Sequence, residues 1–391
     1  MTSPRTAAAR WIHPSPGTLA MGVEEELLLV DALTLEAAPG APGVLESCRT
    51  QAPGQVSAEI TTLQVEVKSN PQVRTEELRG ELLSLRRLAA RCAEQDGLKV
   101  VASGLPVLGD VVPPPITEGA RYAMGTKNYR ALHDEQSMCA CHVHIDCPDL
   151  DQALQVSNRL RPWLPVLLAM TANSPYFAGR DTGYASWRTL AWGRWPVAGP
   201  PPYFHSPAHY EEVLAVLGES GALVDPATVF WDVRPAPRLP TLEVRVADMT
   251  GTVGESVVLA ALVRALVAVA LRDAARGGSA PAPSAEVMRA AYWRAARDGL
   301  DGTGLDVVSG KARPARALVE AMVAYAWPAL EQYGDAPLVA AGLRRLFAVG
   351  CGAARQRAAA QGPGALASTV RHQVEQTLVD WTVPLLPAAR G

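Results

Sequence analysis

The hydrophobic positions along the chain fall into two regimes. Up to about residue 249, short apolar runs alternate with polar residues at period two, as in strands with one buried face; from 254 onward apolar residues recur at three- and four-residue spacing, as in amphipathic helices. The run GVEEELLLVD at 22–31 predicts a strand that opens on three consecutive acids. In EITTLQVEVKSNP at 59–71, Leu63, Val65 and Val67 alternate against Gln64, Glu66 and Lys68, and Asn70-Pro71 stops the strand. LKVVASG at 98–104 is a third strand. CACHVHIDC at 139–147 puts His142, His144 and Asp146 on one face and Cys141, Val143 and Ile145 on the other. Within 231–249, Leu242, Val244 and Val246 oppose Glu243 and Arg245.

Between these strands, Thr75 caps a helix with Glu76 and Glu77 in its first turn, a stripe of Leu78, Leu82, Leu85, Ala89 and Cys92, and Gly97 as its stop. YAMGTKNYRALHDEQ at 122–136 is helical, and a helix over 150–172 is kinked or restarted by Pro162 and Pro165. Residues 37–57, rich in Gly, Ala and Pro, read as loop, and 173–207 as a long irregular stretch dense in aromatics, Arg and Gly, a kind of segment that is usually functional. Helices follow at 255–276, 284–298, 314–332, 336–349 and 365–381. With no internal repeat and no linker, residues 1–20 read as a flexible N-terminal arm and 21–391 as a single domain. The fold class is α+β: an antiparallel sheet packed on helices, with a helical C-terminal third.

Composition narrows the function classes. The chain has 391 residues, 48% hydrophobic and 19% charged, in the range of soluble globular proteins. A net charge of −3 gives no electrostatic argument for nucleic acid or an anionic membrane. The start of the chain lacks the apolar core of a signal peptide, and the most apolar stretch, 257–271, is short and interrupted by Arg264, so it reads as a buried helix. Cys48, Cys92, Cys139, Cys141, Cys147 and Cys351 form no even framework, which suits a reducing cytoplasm.

Along the first strand Glu24 and Glu26 share a face, about 7 Å apart, while Glu25 points the other way and suits a structural pair. Two carboxylates on one face repel each other unless a cation lies between them, and carboxylate oxygens are natural ligands of Mg²⁺. An exposed acidic strand end with solvated charges is the bland alternative. Four separate strands decide against it: each sets charged or metal-competent side chains opposite an apolar face, namely Glu24 and Glu26, Glu66, His142 and His144, and Glu243 with Arg245. A solvated sheet face carries Thr, Ser, Lys and mixed charge; this one carries mainly Glu and His, a plausible cage for Mg²⁺ or Mn²⁺. A zinc site from Cys139, Cys141, Cys147, His142 and His144 is opposed by parity, since the cysteines face away from both histidines. Arg180, Arg188, Arg194, Arg234 and Arg245 suit an anionic substrate or a nucleoside triphosphate, with stacking on Trp187, Trp192 or Trp195 as the alternative for Arg188 and Arg194. The chain has no Walker A loop, no G-x-G-x-x-G before a helix and no G-x-S-x-G elbow, so a nucleotide would bind through metals and arginines.

The segments GVEEELLLVD, QVEV, CHVHID, ANSPYFAGRDTGYASWR, WDVRP and TLEVRVADM occur in this order, and with them the chain resembles the family-2 glutamate–cysteine ligases, also called YbdK-type carboxylate–amine ligases. The resemblance spans roughly residues 20–385 and includes WRAARDGLDG at 293–302. It implies a glutamine-synthetase-like fold, in which a curved antiparallel sheet forms a funnel, ATP enters one end, amino-acid substrates enter the other, and metals sit between. Matched by motif, Glu24, Glu26, Glu66, His142 and Glu243 are implied metal ligands. Glu59 is a further implied acid, whose parity differs from that of Glu66 and calls for a bulge or turn. His144 is implied to meet phosphate, Arg245 to hold the transferred phosphate, and Arg188 to hold the substrate or acyl phosphate, with Arg180 and Tyr184 as further substrate-binding candidates. The implied reaction is ATP-dependent amide formation through an acyl phosphate. ATP would be co-substrate, Mg²⁺ or Mn²⁺ cofactor, and the partners a small-molecule carboxylic acid and an amine, with no nucleic acid or membrane; homo-oligomerisation stays open. The physiological acid and amine are not legible. The alternatives are an amide ligase of a specialised pathway, a catalytically inactive binding homologue, and another metal-dependent enzyme on the same sheet.

Overall fold

The structure, a computed structural model, describes residues 17–109 and 112–381. Its strands are β1 (Met21–Asp31), β2 (Val56–Ala58), β3 (Gln64–Lys68), β4 (Leu98–Val101), β5 (Ala140–Asp146), a small hairpin of β6 (Tyr176–Phe177) and β7 (Arg180–Asp181), β8 (Val233–Pro235) and β9 (Thr241–Asp248). Seven of them form one sheet in the order β2-β3-β1-β5-β9-β8, with β4 added to the far half of β1, and every pairing is antiparallel. β1 is central. Its first half pairs with β3 and β5, while Leu27 to Val30 are all buried, so alternation is lost where both faces are covered.

Helices Thr75–Gln95 and Val253–Ala275 cover the face carrying Glu25, Cys141, Val143 and Ile145. The predicted stripe of the first, Leu78, Leu82, Leu85, Ala89 and Cys92, is buried throughout. Val253–Ala275 starts at a capping box formed by Thr252 and Glu255. By length and apolarity this helix could cross a membrane, but 89% of its most apolar window is buried inside the protein, where Arg264 pairs with Asp335 and lies 4.5 Å from the centre of the Tyr333 ring. All six cysteines are buried and unpaired.

Several expected boundaries move. The 37–57 loop contains the helix Ala41–Cys48 and strand β2; Ala41, Val44 and Cys48 supply its buried side, and the surrounding Gly and Pro hid that spacing. The 59–71 strand shrinks to Gln64–Lys68 because Thr62 and Leu63 turn the chain into β3. Thr75 is the first helical residue rather than the cap; Arg74 holds the cap position, and the Thr75 hydroxyl donates to Asp335 at 3.2 Å. The 122–136 helix breaks at Arg130, whose φ is +52°. The 173–207 stretch contains the β6–β7 hairpin and the helix Trp187–Trp192. The C-terminal region adds a hairpin, Thr303–Asp306 with Lys311–Pro314, and a helix, Gly352–Ala359, and its last helix ends at Thr377. Most of the expected arm, residues 1–16, lies outside the described residues; Ala20 is already buried at the entrance to β1.

Candidate active site

Strand register assembles the polar face. Glu24 lies opposite His142 on β5 and Lys68 on β3, and Glu26 opposite Glu66. Ser57 lies opposite Glu66, His144 opposite Glu243, and Arg234 opposite Glu243. Side chains directly opposite on one face have Cβ atoms about 5 Å apart, so five strands deliver their charges to one place. A register shift between Cys141 and Val143 is a β-bulge: Val143 pairs with Val244, and Cys141 already with Ala247. Arg245 sits within the bulge. Its guanidinium donates to Glu243 and lies 3.4 Å from His142 Nδ1.

Two groups of ligand atoms approach within 4.8 Å of one another, Glu24 with His142 and Glu243, and Glu26 with Glu66 and His142; these are the metal-competent groups among the described residues. His142 belongs to both. His144 Nδ1 is 2.9 Å from Thr241 Oγ1, and its buried Nε2 has no hydrogen-bond partner but lies 3.5 Å from Glu24 and 3.9 Å from Glu243.

The electrostatics divide these acids. Burial raises Glu26 to about 7, with the Glu66 charge adding to it and Arg188, Arg245 and the Ala140 N–H opposing. Glu59 is pushed well up by burial and by Glu66 and Glu26, and Glu66 is raised by burial and Glu24 against the pull of Lys68. Burial works the same way on Glu24, but His144, His142 and Lys68 outweigh it and hold that carboxyl well below its usual range. Glu243 is also held low, Arg234, Arg245 and both histidines overcoming burial. His142 falls to about 4, through burial and the Arg245 charge. Three carboxyls raised by burial and by neighbouring carboxylates want a cation, and the oxygen-rich donor set suits Mg²⁺ or Mn²⁺. The cysteines expected to face away from the histidines do so: Cys141 lies in the core, and no zinc tetrahedron forms among the described residues.

The face opens into a cavity of about 760 Å³. Its lining includes β2, the β8–β9 turn with Arg238, and an aromatic wall of Tyr122, Tyr129, Trp192, Trp195 and Phe230. Glu24, Glu26, Glu59, Glu66, His142, His144, Arg188, Glu243 and Arg245 all line it. The β2–β3 connection supplies the turn that Glu59 needed. Arg180 and Tyr184 stand apart from the lining: Arg180 is exposed, 5.8 Å from the Trp187 ring centre, and Tyr184 packs on Trp187 and accepts a hydrogen bond from Trp293. The turn between β6 and β7 carries both away from the cavity. Arg194 is likewise outside, paired with Glu135. Sequence reasoning offered Arg234 for an anionic ligand but missed its pairing with Glu243 at 2.9 Å, and it missed Asp248, 3.6 Å from Arg188. Parity would have found the Arg234–Glu243 pair once β8 was paired with β9, whereas the bulge concealed Asp248.

The antiparallel sheet with its helical cover is a fold seen in solved structures. The fold is shared with a glutamate–cysteine ligase of Francisella tularensis solved in complex with AMP, at 12% identity and a TM-score of 0.67 over 94% of this chain and 90% of that one. It is shared also with a bifunctional glutathione synthetase of Pasteurella multocida, at 14% identity and a TM-score of 0.66 over 92% of this chain and 52% of that one. The chain belongs to glutamate–cysteine ligase family 2, whose description matches residues 20–375, and it is an ATP-dependent carbon–nitrogen ligase. Relatives provisionally named glutamate–cysteine ligase 2-1 are 44% identical in Saccharopolyspora erythraea, over 93% of this chain and 96% of that one, and 45% identical in Nocardia farcinica, over 86% and 87%.

Proposed function

We propose that the protein joins a carboxylate to an amine in two steps through an acyl phosphate, with glutamate and cysteine as the first pair to test. The observation that carries this reading is the convergence of Glu24, Glu26, Glu66, His142 and Glu243 on one cavity that Arg188 and Arg245 also line. In the first step a carboxylate oxygen bonds to the γ-phosphorus of ATP as the β–γ bridging bond breaks, releasing ADP. In the second the amine nitrogen bonds to the acyl carbon, the carbon–oxygen bond to phosphate breaks, and a proton leaves the nitrogen.

Glu24, Glu26, Glu66, His142 and Glu243 would hold the divalent ions, with Glu59 a further carboxylate on the same wall. Bound there, Mg²⁺ or Mn²⁺ neutralises charge on the phosphate oxygens. Arg245, fixed in the bulge by Glu243, stabilises the transferring group. Arg188 is buried and its Nε has no partner, so it keeps a donor for the substrate carboxylate or the acyl phosphate. His144 presents an unpartnered Nε2 for a phosphate oxygen. Most of these side chains are buried, which strengthens each of these interactions. The free buried cysteines suit a reducing cytoplasm.

The test is a screen of acids and amines for ADP release with Mg²⁺, with products identified by mass. ADP release requiring glutamate and cysteine together is the expected result. The aromatic wall is a reason to include partners with apolar side chains, and release with such a pair alone would keep the mechanism and change the substrate. Absence of ADP with every pair would overturn the reading in favour of a different metal-dependent reaction.

A further inference from the structure

We infer that Asp248 is the residue that positions Arg188 over the reacting carboxylate, an inference that rests on the proposed two-step reaction. Asp248 is fully buried at the end of β9, beyond the bulge. The register shift sets it opposite Ala140, on the face that Arg245 also serves, although simple alternation from Glu243 would send it to the core. One carboxylate oxygen accepts the Asn173 N–H at 2.8 Å and the Ser174 hydroxyl at 2.7 Å. The other accepts the Ser186 hydroxyl at 2.8 Å and faces Arg188 Nη1 at 3.6 Å.

These partners hold Arg188 at both ends. The Ser174 hydroxyl oxygen accepts the Arg188 backbone N–H at 3.1 Å, and the Ser186 hydroxyl oxygen caps the helix Trp187–Trp192 by accepting the Thr189 N–H. A helix of six residues has little stability of its own, so its placement depends on such anchors. Asp248 therefore fixes the helix start through two serines and the guanidinium through its charge. These neutral partners alone do not call for a carboxylate: an amide could meet them at lower desolvation cost, its oxygen accepting two donors and its NH₂ donating to a serine hydroxyl turned to accept. The charge has a use only in pairing with Arg188. Asp232, a second buried acid whose carboxyl feels the Arg188 charge, does not reach the guanidinium at ion-pair distance.

The test uses the full chain with Asp248→Asn, Arg188→Ala and the double variant. Asparagine keeps the size and one acceptor oxygen, and the serine hydroxyls can turn to accept from its NH₂, so the melting temperature should stay within a few degrees of wild type. With the acid and amine that give ADP release, kcat/KM for the acid should fall roughly 10- to 100-fold in Asp248→Asn while KM for ATP is unchanged. In the Arg188→Ala background, adding Asp248→Asn should change the rate less than about twofold, because both changes remove the same interaction. Losses that multiply in the double variant, or wild-type kinetics in Asp248→Asn, would overturn the inference. A crystal structure of Asp248→Asn gives a readout independent of turnover: the Arg188 guanidinium leaves its wild-type place while the surrounding backbone superposes. An unmoved Arg188 would overturn it as well. If the wild type releases no ADP with any pair, the proposed reaction fails, and the crystallographic result still decides what holds Arg188.

Discussion

Glu25 and Glu26 are neighbours in sequence and opposites in circumstance. Glu25 points into the core, where Arg86 Nε and Nη2 bind its two oxygens at 2.8 and 2.7 Å and the Ser256 hydroxyl adds a third bond. The remaining Arg86 donors reach the carbonyls of Thr377 and Thr250, so the pair is fully buried and fully satisfied within the chain. Glu26 points into the cavity, accepts one N–H from Ala140 at 2.7 Å, and stands opposite another carboxylate, Glu66. On one face of the strand the charge is balanced by protein; on the other it is left for a ligand to balance. Acidity alone separates structural from functional residues no better than a coin toss here; the partner that each acid has been given separates them.

Breaking the balanced side should have the larger effect. Arg86→Leu leaves Glu25 buried without its counter-charge and should remove about 3–5 kcal/mol of stability. Urea unfolding measures it, and a loss below about 1 kcal/mol would mean that the pair contributes little to the fold. The unbalanced side should respond in turnover instead. Glu26→Gln keeps an oxygen for the Ala140 N–H and removes a charge that Glu66 repels, so the fold should be retained or slightly stabilised. ADP release should nevertheless fall roughly 10²- to 10³-fold, as when one electrostatic contact to a transition state is lost. Wild-type-like release from a folded Glu26→Gln protein would remove Glu26 from the ion-binding set. Glu243→Gln is a less clean probe, because Glu243 also neutralises Arg234 and Arg245.

The contrast between the two faces was legible in sequence because it is a property of alternation. Parity along 22–31 separated Glu25 from its neighbours, and parity along 139–147 separated the histidines from Cys141. What alternation cannot express was lost. The hairpin that brings Glu59 into the cavity depends on β2, a three-residue strand hidden among Gly and Pro. The bulge that redirects Asp248 comes from β5 and β9 pairing out of step, which no single strand announces. Arg180 and Tyr184 share a motif with Arg188, yet Arg180 lies exposed on the β6–β7 hairpin and Tyr184 packs half-buried on Trp187 outside the cavity, while Arg188 turns inward beside Asp248. Proximity in sequence within a long loop therefore says little about proximity in space.

The smallest expected effect links the two faces to pH. Glu26, Glu59 and Glu66 have folded-state pKa values raised by burial and by neighbouring carboxylates, so the folded protein binds their protons more tightly than the unfolded chain does. Stability contributed by such groups is present at low pH and is lost as pH rises through the folded value, which for Glu26 is about 7. Glu24 and Glu243 are held low and act in the opposite sense, but their contribution is lost only as pH falls below the usual carboxylate range, outside this window. Between about pH 6 and 8 the raised acids and the raised His144 act in one sense, and His142, held near 4, opposes them only up to the ordinary imidazole value, so the metal-free protein should lose stability from this site as pH rises. On the proposed reading Mg²⁺ would bind the ionised acids and compete with those protons. The gain in melting temperature on saturating with Mg²⁺ should be larger at pH 8 than at pH 6, by the equivalent of about 1.4 kcal/mol for each pH unit over which one proton is displaced. Thermal melts at matched ionic strength measure it, with Glu26→Gln as the comparison in which the pH dependence shrinks. An equal gain at both pH values would show that proton and metal do not share these carboxylates. It would also mean that the charge left open on the cavity face is balanced by something other than a divalent ion.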